Sequence, residues 1–212
     1  MAWNPRLCVG CDCCIRACPY LSSPKTRWMN PREVLEEIGT GINFIRGITV
    51  SGGEATLQRD FLCELFTLAR EQGLSCFLDT NGSYDFSSDS RLMEVMDQVM
   101  LDVKAFETAS HRQLTGAEND MVLKNLKFLC ETDHLYEVRT VVSPQLANSE
   151  ETVLQTGRII SAFPKVRYRL IQYRPFGVRE QYSKYYQTPS GEMMPRLKAQ
   201  LHQLGVESVL IT

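Results

Sequence analysis

Apolar residues recur along this chain in two alternating rhythms. Short apolar runs suit strands, and stretches at helical spacing suit amphipathic helices. Asn30-Pro31-Arg32-Glu33 predicts a helix start, with an Asn cap, Pro in the first turn and Glu at the third position. Val34, Leu35 and Ile38 follow on one face, and Gly39 closes the segment. Ile48-Thr49-Val50 predicts a short buried strand. From about Asp60 to Gln72, Phe61, Leu62, Leu65, Phe66 and Ala69 form a helical stripe that Gly73 stops. Cys76-Phe77-Leu78 and Val99-Met100-Leu101 read as strands on either side of a helix over 90–96. Further helices are predicted over 121–130, 150–162 and 190–204, and further strands over 137–142, 166–172 and 208–211.

Strands separated by helices predict a parallel sheet with right-handed crossovers, an α/β fold. Eight such units of about thirty residues close a barrel. Residues 29–212 supply five or six, so the expectation is a partial (β/α) barrel. Residues 1–28 form a separate cysteine-rich lobe, with Leu21-Ser22-Ser23-Pro24 as its exit. No internal repeat of fixed period and no low-complexity segment interrupts this division.

Composition narrows the function classes. At 43% hydrophobic and 23% charged residues, the 212-residue chain has the balance of a folded globular protein, which excludes general disorder. Lys and Arg number 23 against 25 Asp and Glu, for a net charge of −2, and no basic block marks a nucleic-acid partner. No run approaches the roughly 18 apolar residues of a membrane span. The first residues, MAWNPRLC, lack the apolar core of a secretory signal, so the expected location is the cytoplasm.

Cysteine usage adds the first chemistry. Five of the eight cysteines, Cys8, Cys11, Cys13, Cys14 and Cys18, lie close together near the start. In a reduced compartment such a cluster points to metal rather than disulfides. Cys8-x2-Cys11-x2-Cys14-x3-Cys18-Pro19 has the spacing of a bacterial ferredoxin run, in which the fourth cysteine serves a second cluster. Cys13 falls outside the pattern. One run leaves ligands for two clusters missing, and a zinc site built from the same four thiols is the alternative. Cys63, Cys76 and Cys130 sit in apolar surroundings as small buried hydrophobes.

The predicted strand ends carry the second chemistry. In parallel α/β folds a ligand lies at the carboxyl ends of the strands. Ser51-Gly52-Gly53-Glu54 follows the first strand, Asp79-Thr80-Asn81-Gly82 the second and Asp102-Val103-Lys104 the third. Arg139 lies in the fourth, ahead of Ser143-Pro144, and Gln172 and Arg174 follow the fifth. The set suits an amino-acid-like ligand. Gly52 and Gly53 allow close backbone approach, Glu54 accepts from an ammonium group, and Lys104 and Arg139 hold a carboxylate. Asp79, Asp102, Thr80 and the Met100 carbonyl offer hard oxygens for a small cation. Ion pairing among Asp79, Asp102, Lys104 and Arg139 is the plainer alternative.

Gly-Ile-Thr-Val-Ser-Gly-Gly-Glu (47–54) resembles the GGE segment of radical S-adenosylmethionine enzymes. Asp-Thr-Asn-Gly (79–82), Met-Leu-Asp-Val-Lys (100–104), His-Arg-Gln-Leu-Thr-Gly (111–116) and Val-Arg-Thr-Val-Val-Ser-Pro (138–144) resemble the glycyl-radical enzyme activases of that family. The ferredoxin-type run is similar to the cysteine-rich insert of many such activases. The resemblance implies that a reduced [4Fe–4S] cluster cleaves S-adenosylmethionine, and that the resulting 5′-deoxyadenosyl radical takes hydrogen from a glycine of a partner enzyme. A flavodoxin- or ferredoxin-type protein would donate the electron. By the same resemblance, Gly52, Gly53 and Glu54 hold the methionyl amino end, and Lys104 and Arg139 face its carboxylate. Asp79, Thr80, Met100 and Asp102 match the family's cation-site region, where a monovalent cation is implied, and Asn81 is counted with Asp79 and Asp102 among the cofactor-binding residues.

Two departures matter. The family's radical cluster is held by C-x3-C-x2-C, and no such run occurs in these 212 residues. The expectation is an N-terminally truncated activase, inactive as an isolated chain and prone to self-association through an unpaired sheet edge. Tyr173-Arg174-Pro175 stands where a family member has a histidine near the ligand, which makes Arg174 a weak candidate contact. An iron–sulfur electron-transfer module and a zinc-stabilised scaffold are the competing readings.

Overall fold

The computed structural model describes residues 3–19, 23–146, 148–175 and 185–212. Its centre is a parallel sheet whose strands run in chain order: β1 (Gly47–Val50), β2 (Ser75–Thr80), β3 (Gln98–Asp102), β4 (Leu135–Val142), β5 (Arg167–Gln172) and β6 (Val209–Ile211). Each strand pairs in parallel only with its neighbours in sequence, so the winding never reverses. With right-handed crossovers, that order sets the connecting helices on one face and leaves the other as an open lumen. This is the topology of a (β/α) barrel that stops short of closure. A doubly wound sheet would reverse its strand order and bury both faces.

The helices are α1 (Cys13–Arg16), α2 (Pro31–Gly39), α3 (Arg59–Glu71), α4 (Ser90–Val95), α5 (Thr108–Thr115), α6 (Asp120–Glu131), α7 (Ser149–Ile160) and α8 (Met193–Gln203). Their local causes are legible. Asn30 caps α2 through a full capping box: its side chain accepts from Glu33 N–H (3.0 Å), and Glu33 accepts from Asn30 N–H (2.7 Å). Gly73, Gly116 and Gly205 take left-handed φ values just past α3, α5 and α8, where any other residue is strained. Leu62, Leu65, Phe66 and Ala69 are the buried stripe of α3, as their spacing predicts.

Burial alternates along the strands. Cys76, Leu78 and Thr80 on β2 are buried between half-exposed residues, and on β4 Val138, Thr140 and Val142 are buried, with half-exposed Arg139 and Val141 between them. Cys76, Leu78, Val138 and Val142 form one core with Phe66, Leu92, Leu126, Tyr168 and Leu170. Each fully buried Leu or Phe contributes roughly 2 kcal/mol over leaving it in water. Tyr168 is a polar exception within that core: its hydroxyl lies 2.9 Å from Thr140 Oγ1, which donates to the Val103 carbonyl.

The lumen face is different. Between β3 and β4 the register shifts at Val99/Met100, so Tyr136 becomes an extra residue on β4. Its ring packs edge-on against Phe77 (centroids 4.9 Å apart) and lies under the Arg167 guanidinium (4.2 Å). Asp79, Glu137, Arg139, Arg167 and Arg169 share this face by register.

Several expectations need correcting. Ile48–Val50 is an edge strand rather than a buried one: Thr49 is exposed, and Ile48 and Val50 are half-buried, because β1 has a neighbour on one side only. The last helix starts at Met193, three residues later than its pattern predicts. His111–Thr115 lies on a helix, α5, that the apolar spacing did not single out, and Gly116 caps its end. Leu21 and Ser22 of the expected lobe exit lie outside the described residues.

Candidate functional site at the strand rim

The carboxyl ends of β1 to β4 are joined by polar contacts. Ser51 Oγ donates to Asp79 Oδ2 (3.4 Å). Arg139 Nη1 donates to the same oxygen (2.7 Å), while Arg139 Nη2 lies 2.8 Å from Met100 Sδ. Lys104 pairs with Asp102 at the end of β3. The candidate side chains therefore form a band across neighbouring strands, and their charges pair within it. The plainer alternative of mutual ion pairing describes Asp79 with Arg139 and Asp102 with Lys104.

Glu54 belongs to the band through β2. Its Oε1 accepts from Thr80 Oγ1 (2.8 Å), Thr56 Oγ1 (2.7 Å) and Thr56 N–H (3.2 Å), and its Oε2 accepts from Asn81 N–H (2.8 Å). In this arrangement the carboxylate ties the exit of β1 to the exit of β2. Gly52 and Gly53 are exposed, and a Cβ at either would meet nothing within 4 Å, so their backbone is open to close approach. Gly52 has a φ of 149°, which a side chain would strain. A hollow of about 530 Å³ opens beside this loop, lined in part by Ser51, Gly52, Gly53, Glu54, Trp28 and Phe61. At the far end of the rim, Val141, Ile171, Gln172, Tyr173, Arg174 and Thr212 line a second hollow of about 410 Å³. Arg174 itself is exposed.

Two buried asparagines brace the rim loops. Asn125 of α6 donates to the Gly82 carbonyl (2.8 Å) and to the Tyr84 carbonyl, and accepts from Phe86 N–H (3.4 Å). Asn119 donates to the Phe106 carbonyl (2.6 Å) and the Ala105 carbonyl (3.2 Å). A third brace is Asp89, which accepts from both Arg59 Nε and Nη2 at 2.6 Å and from the Tyr84 hydroxyl at 2.6 Å. The Arg59 guanidinium holds the Asp89 carboxyl well below the usual range. His111 is buried and hydrogen-bonds the Ala117 carbonyl (2.8 Å), so this part of the 111–116 motif serves a helix end.

Sequence reasoning missed the densest charge in the lumen. Glu137 is 0% exposed and meets Arg139, Arg167 and Arg169. Burial pushes its carboxyl up, but the Arg169 and Arg139 guanidiniums outweigh that and hold it below the ordinary value. Burial also disfavours charge on Arg139, and its bonds to Glu137 and Asp79 more than restore it. The available signal was charge at alternating positions of two parallel strands, where apolar residues are the norm.

The cysteine loop is laid out differently from the rim. Gly10 and Asp12 adopt left-handed φ values and turn the chain tightly around Cys11. The Cys13 N–H and thiol lower the Cys11 pKa. Cys8 and Cys11 are exposed, and Cys14 and Cys18 half-exposed. Among the described residues no three Cys, His, Asp or Glu side chains gather as a metal would require, so the structure does not bring Cys8, Cys11, Cys14 and Cys18 together. Cys63, Cys76 and Cys130 are buried, as expected.

A parallel (β/α) sheet in uninterrupted order, with an open glycine loop and a charged band at its carboxyl rim, defines a ligand-binding partial barrel. The Radical SAM superfamily model matches residues 5–153, and the chain belongs to that superfamily. It is 27% identical to a putative glycyl-radical enzyme activating enzyme of Haemophilus influenzae, an alignment covering 93% of this chain and 86% of that protein. It is 29% identical to the pyruvate formate-lyase 1-activating enzyme of Escherichia coli, covering 91% and 86% respectively. The crystal structure of a domain of pyruvate-formate lyase-activating enzyme from Bacteroides vulgatus shares the fold, with a TM-score of 0.65 and 21% identity over 78% of this chain and 98% of that one. Among the described residues no helix is long and apolar enough to cross a membrane.

The superfamily works with S-adenosylmethionine and a [4Fe–4S] cluster. The rim fits the amino-acid end of the first: open glycine backbone stands beside carboxylates, an ammonium and a guanidinium. The cysteine loop as arranged does not fit the second, because its thiols do not converge.

Proposed function

We propose that this chain takes part in activating a glycyl-radical enzyme, with the rim of β1 to β4 as its S-adenosylmethionine site. The observation that carries the reading is the Ser51–Asp79–Arg139 contact chain beside the open backbone of Gly52 and Gly53. In this family S-adenosylmethionine is the source of a 5′-deoxyadenosyl radical. The backbone at Gly52 and Gly53 receives the methionyl amino group, with Glu54 holding that loop against Thr80 and Asn81. Lys104 and Arg139 face the carboxylate. Asp79 and Asp102, now paired with Arg139 and Lys104, together with Thr80 and the Met100 carbonyl, offer the oxygens for a monovalent cation.

The protein substrate is a glycyl-radical enzyme, reached from the open side of the lumen, and a flavodoxin- or ferredoxin-type protein is the electron donor. Residues 1–28 form a separate lobe in this reading, with Cys8, Cys11, Cys14 and Cys18 as the candidate ligands of an auxiliary cluster. These 212 residues contain no C-x3-C-x2-C run and by themselves do not cleave S-adenosylmethionine.

Two measurements test this. Calorimetric titration with S-adenosylmethionine should give saturable binding that Lys104→Met and Arg139→Met each weaken, and unchanged binding in both variants would overturn the site. Anaerobic reconstitution with iron, sulfide and dithionite should yield no 5′-deoxyadenosine. Its appearance would overturn the claim of inactivity.

A further inference from the structure

A fully buried carboxylate inside a half-open lumen is costly unless it is matched. Glu137 is matched more than once. Its Oε1 accepts from Arg139 Nε and Arg169 Nε, each at 2.8 Å, and its Oε2 accepts from Arg167 Nη2 (2.9 Å) and Arg169 Nη2 (3.0 Å). The register explains the crowding: Glu137 stands opposite Arg167, and Arg139 opposite Arg169. Two guanidiniums facing each other across neighbouring strands repel. Glu137, two residues before Arg139 on the same face, is the counter-ion that lets them share it.

Arg139 carries this arrangement to the rim. One edge of its guanidinium is held by Glu137, and the other donates to Asp79, which meets Ser51 beside the glycine loop. Across the cluster three guanidiniums face two carboxylates, Glu137 and Asp79, which leaves one positive charge in surplus at the lumen. Among the described residues Arg167 Nε is buried without a hydrogen-bond partner, although its Nη2 is held by Glu137.

We propose that Glu137 is a positioning residue for ligand binding: as the shared counter-ion of Arg139, Arg167 and Arg169 it lets the three share one face and fixes the Arg139 guanidinium at the rim, toward the ligand's carboxylate. The inference rests on the reading of the rim given under the proposed function. Glu137 itself touches no ligand. Its effect passes through Arg139, as outer partners of a binding group act through the group they orient.

The test has a spectroscopic arm and a binding arm. In the nitrogen-15-labelled chain, the Nε–H signals of Arg139 and Arg169, assigned with Arg139→Lys and Arg169→Lys, should exchange with water far more slowly than that of exposed Arg32. In Glu137→Gln both should shift and lose that protection. Fast exchange in the unaltered chain, or signals unmoved by Glu137→Gln, overturns the proposal. Should Glu137→Gln fail to fold, protection in the unaltered chain still decides. In the second arm, S-adenosylhomocysteine serves as an uncleaved probe with the same amino-acid end. Glu137→Gln should weaken its binding about tenfold, and less than about twofold in an Arg139→Met background. An equal loss in both backgrounds marks a merely structural role and overturns the proposal. An unaltered chain with no affinity for the probe contradicts the ligand reading instead, and the arginine signals then decide on their own whether Glu137 holds Arg139.

Discussion

Asn125→Ala should unfasten the loop that follows β2. The Asn125 side chain is fully buried on α6, and three backbone groups depend on it: the carbonyls of Gly82 and Tyr84 and the N–H of Phe86. A typical hydrogen bond contributes about 1 kcal/mol net, and a buried group left without a partner costs about 1–3 kcal/mol. Three such losses, partly relieved by water entering at the half-exposed Tyr84, give a cost of about 3 kcal/mol. With a urea slope near 3 kcal/mol per molar for a chain of this size, the unfolding midpoint should fall by about 1 M. Asn125→Asp should be worse than Asn125→Ala, because it keeps the acceptor for Phe86 N–H but turns a carboxylate oxygen toward two carbonyls. Asn81→Ala is the control: Asn81 is exposed and its side chain accepts only from Ser83 N–H (2.9 Å), so its midpoint should shift by less than about 0.3 M. Equilibrium urea unfolding followed by circular dichroism reads all three variants. An Asn125→Ala midpoint within that control's range, or an Asp variant more stable than the Ala variant, would refute the bracing role.

Acid should strip stability through Asp89. Its folded pKa is depressed, so its contribution is present above the unfolded carboxylate range, about pH 4, and is lost as pH falls below it. Asp89→Asn should therefore lower the melting temperature at pH 7, with the gap to the unaltered chain narrowing toward pH 2, and a constant gap would contradict the assignment. The metal-free chain should show five thiols that react readily with Ellman's reagent, Cys8, Cys11, Cys13, Cys14 and Cys18, and three that react only after unfolding. Burial pushes Cys76 and Cys130 up to about 12, so they favour the folded state below pH 9 and that contribution fades as pH rises from 9 toward 12. Ready reaction of Cys76 or Cys130 in the folded chain would contradict this. The unpaired edge of β1, with Phe44 91% and Leu57 84% exposed nearby, should drive concentration-dependent association. A clean monomer in sedimentation velocity across a wide concentration range would count against it.

The strand and helix order was legible because each element carries its own rhythm, and the caps at Asn30, Gly73 and Gly205 mark boundaries chemically. Edge position was not. Ile48-Thr49-Val50 has the apolar content of an interior strand, and only the pairing shows that it has one neighbour. The rim residues Glu54, Asp79, Asp102, Lys104 and Arg139 were legible because strand exits in parallel folds carry the ligand chemistry. Pairing among Asp79, Asp102, Lys104 and Arg139 was legible too, as an alternative, but which carboxylate meets which cation was not, since that depends on register. Glu137, Arg167 and Arg169 escaped notice because alternation on a strand looks the same whether its polar face meets water or a lumen. Asn119 and Asn125 left a fainter trace, as amide side chains beside the apolar stripe of α6. The cysteine spacing was plain from the residues, whereas convergence of the sulfurs depends on loop geometry that spacing does not encode.

The central claim is that the carboxyl rim of β1 to β4 receives the amino-acid end of S-adenosylmethionine. A crystal structure of the chain soaked or grown with that compound tests it most directly. The account predicts the methionyl amino group against the backbone at Gly52 and Gly53, with its carboxylate toward Lys104 and Arg139. Density for the compound on the helical face of the sheet, or a rim whose Asp79–Arg139 and Asp102–Lys104 pairs stay closed while the compound binds elsewhere, would contradict it.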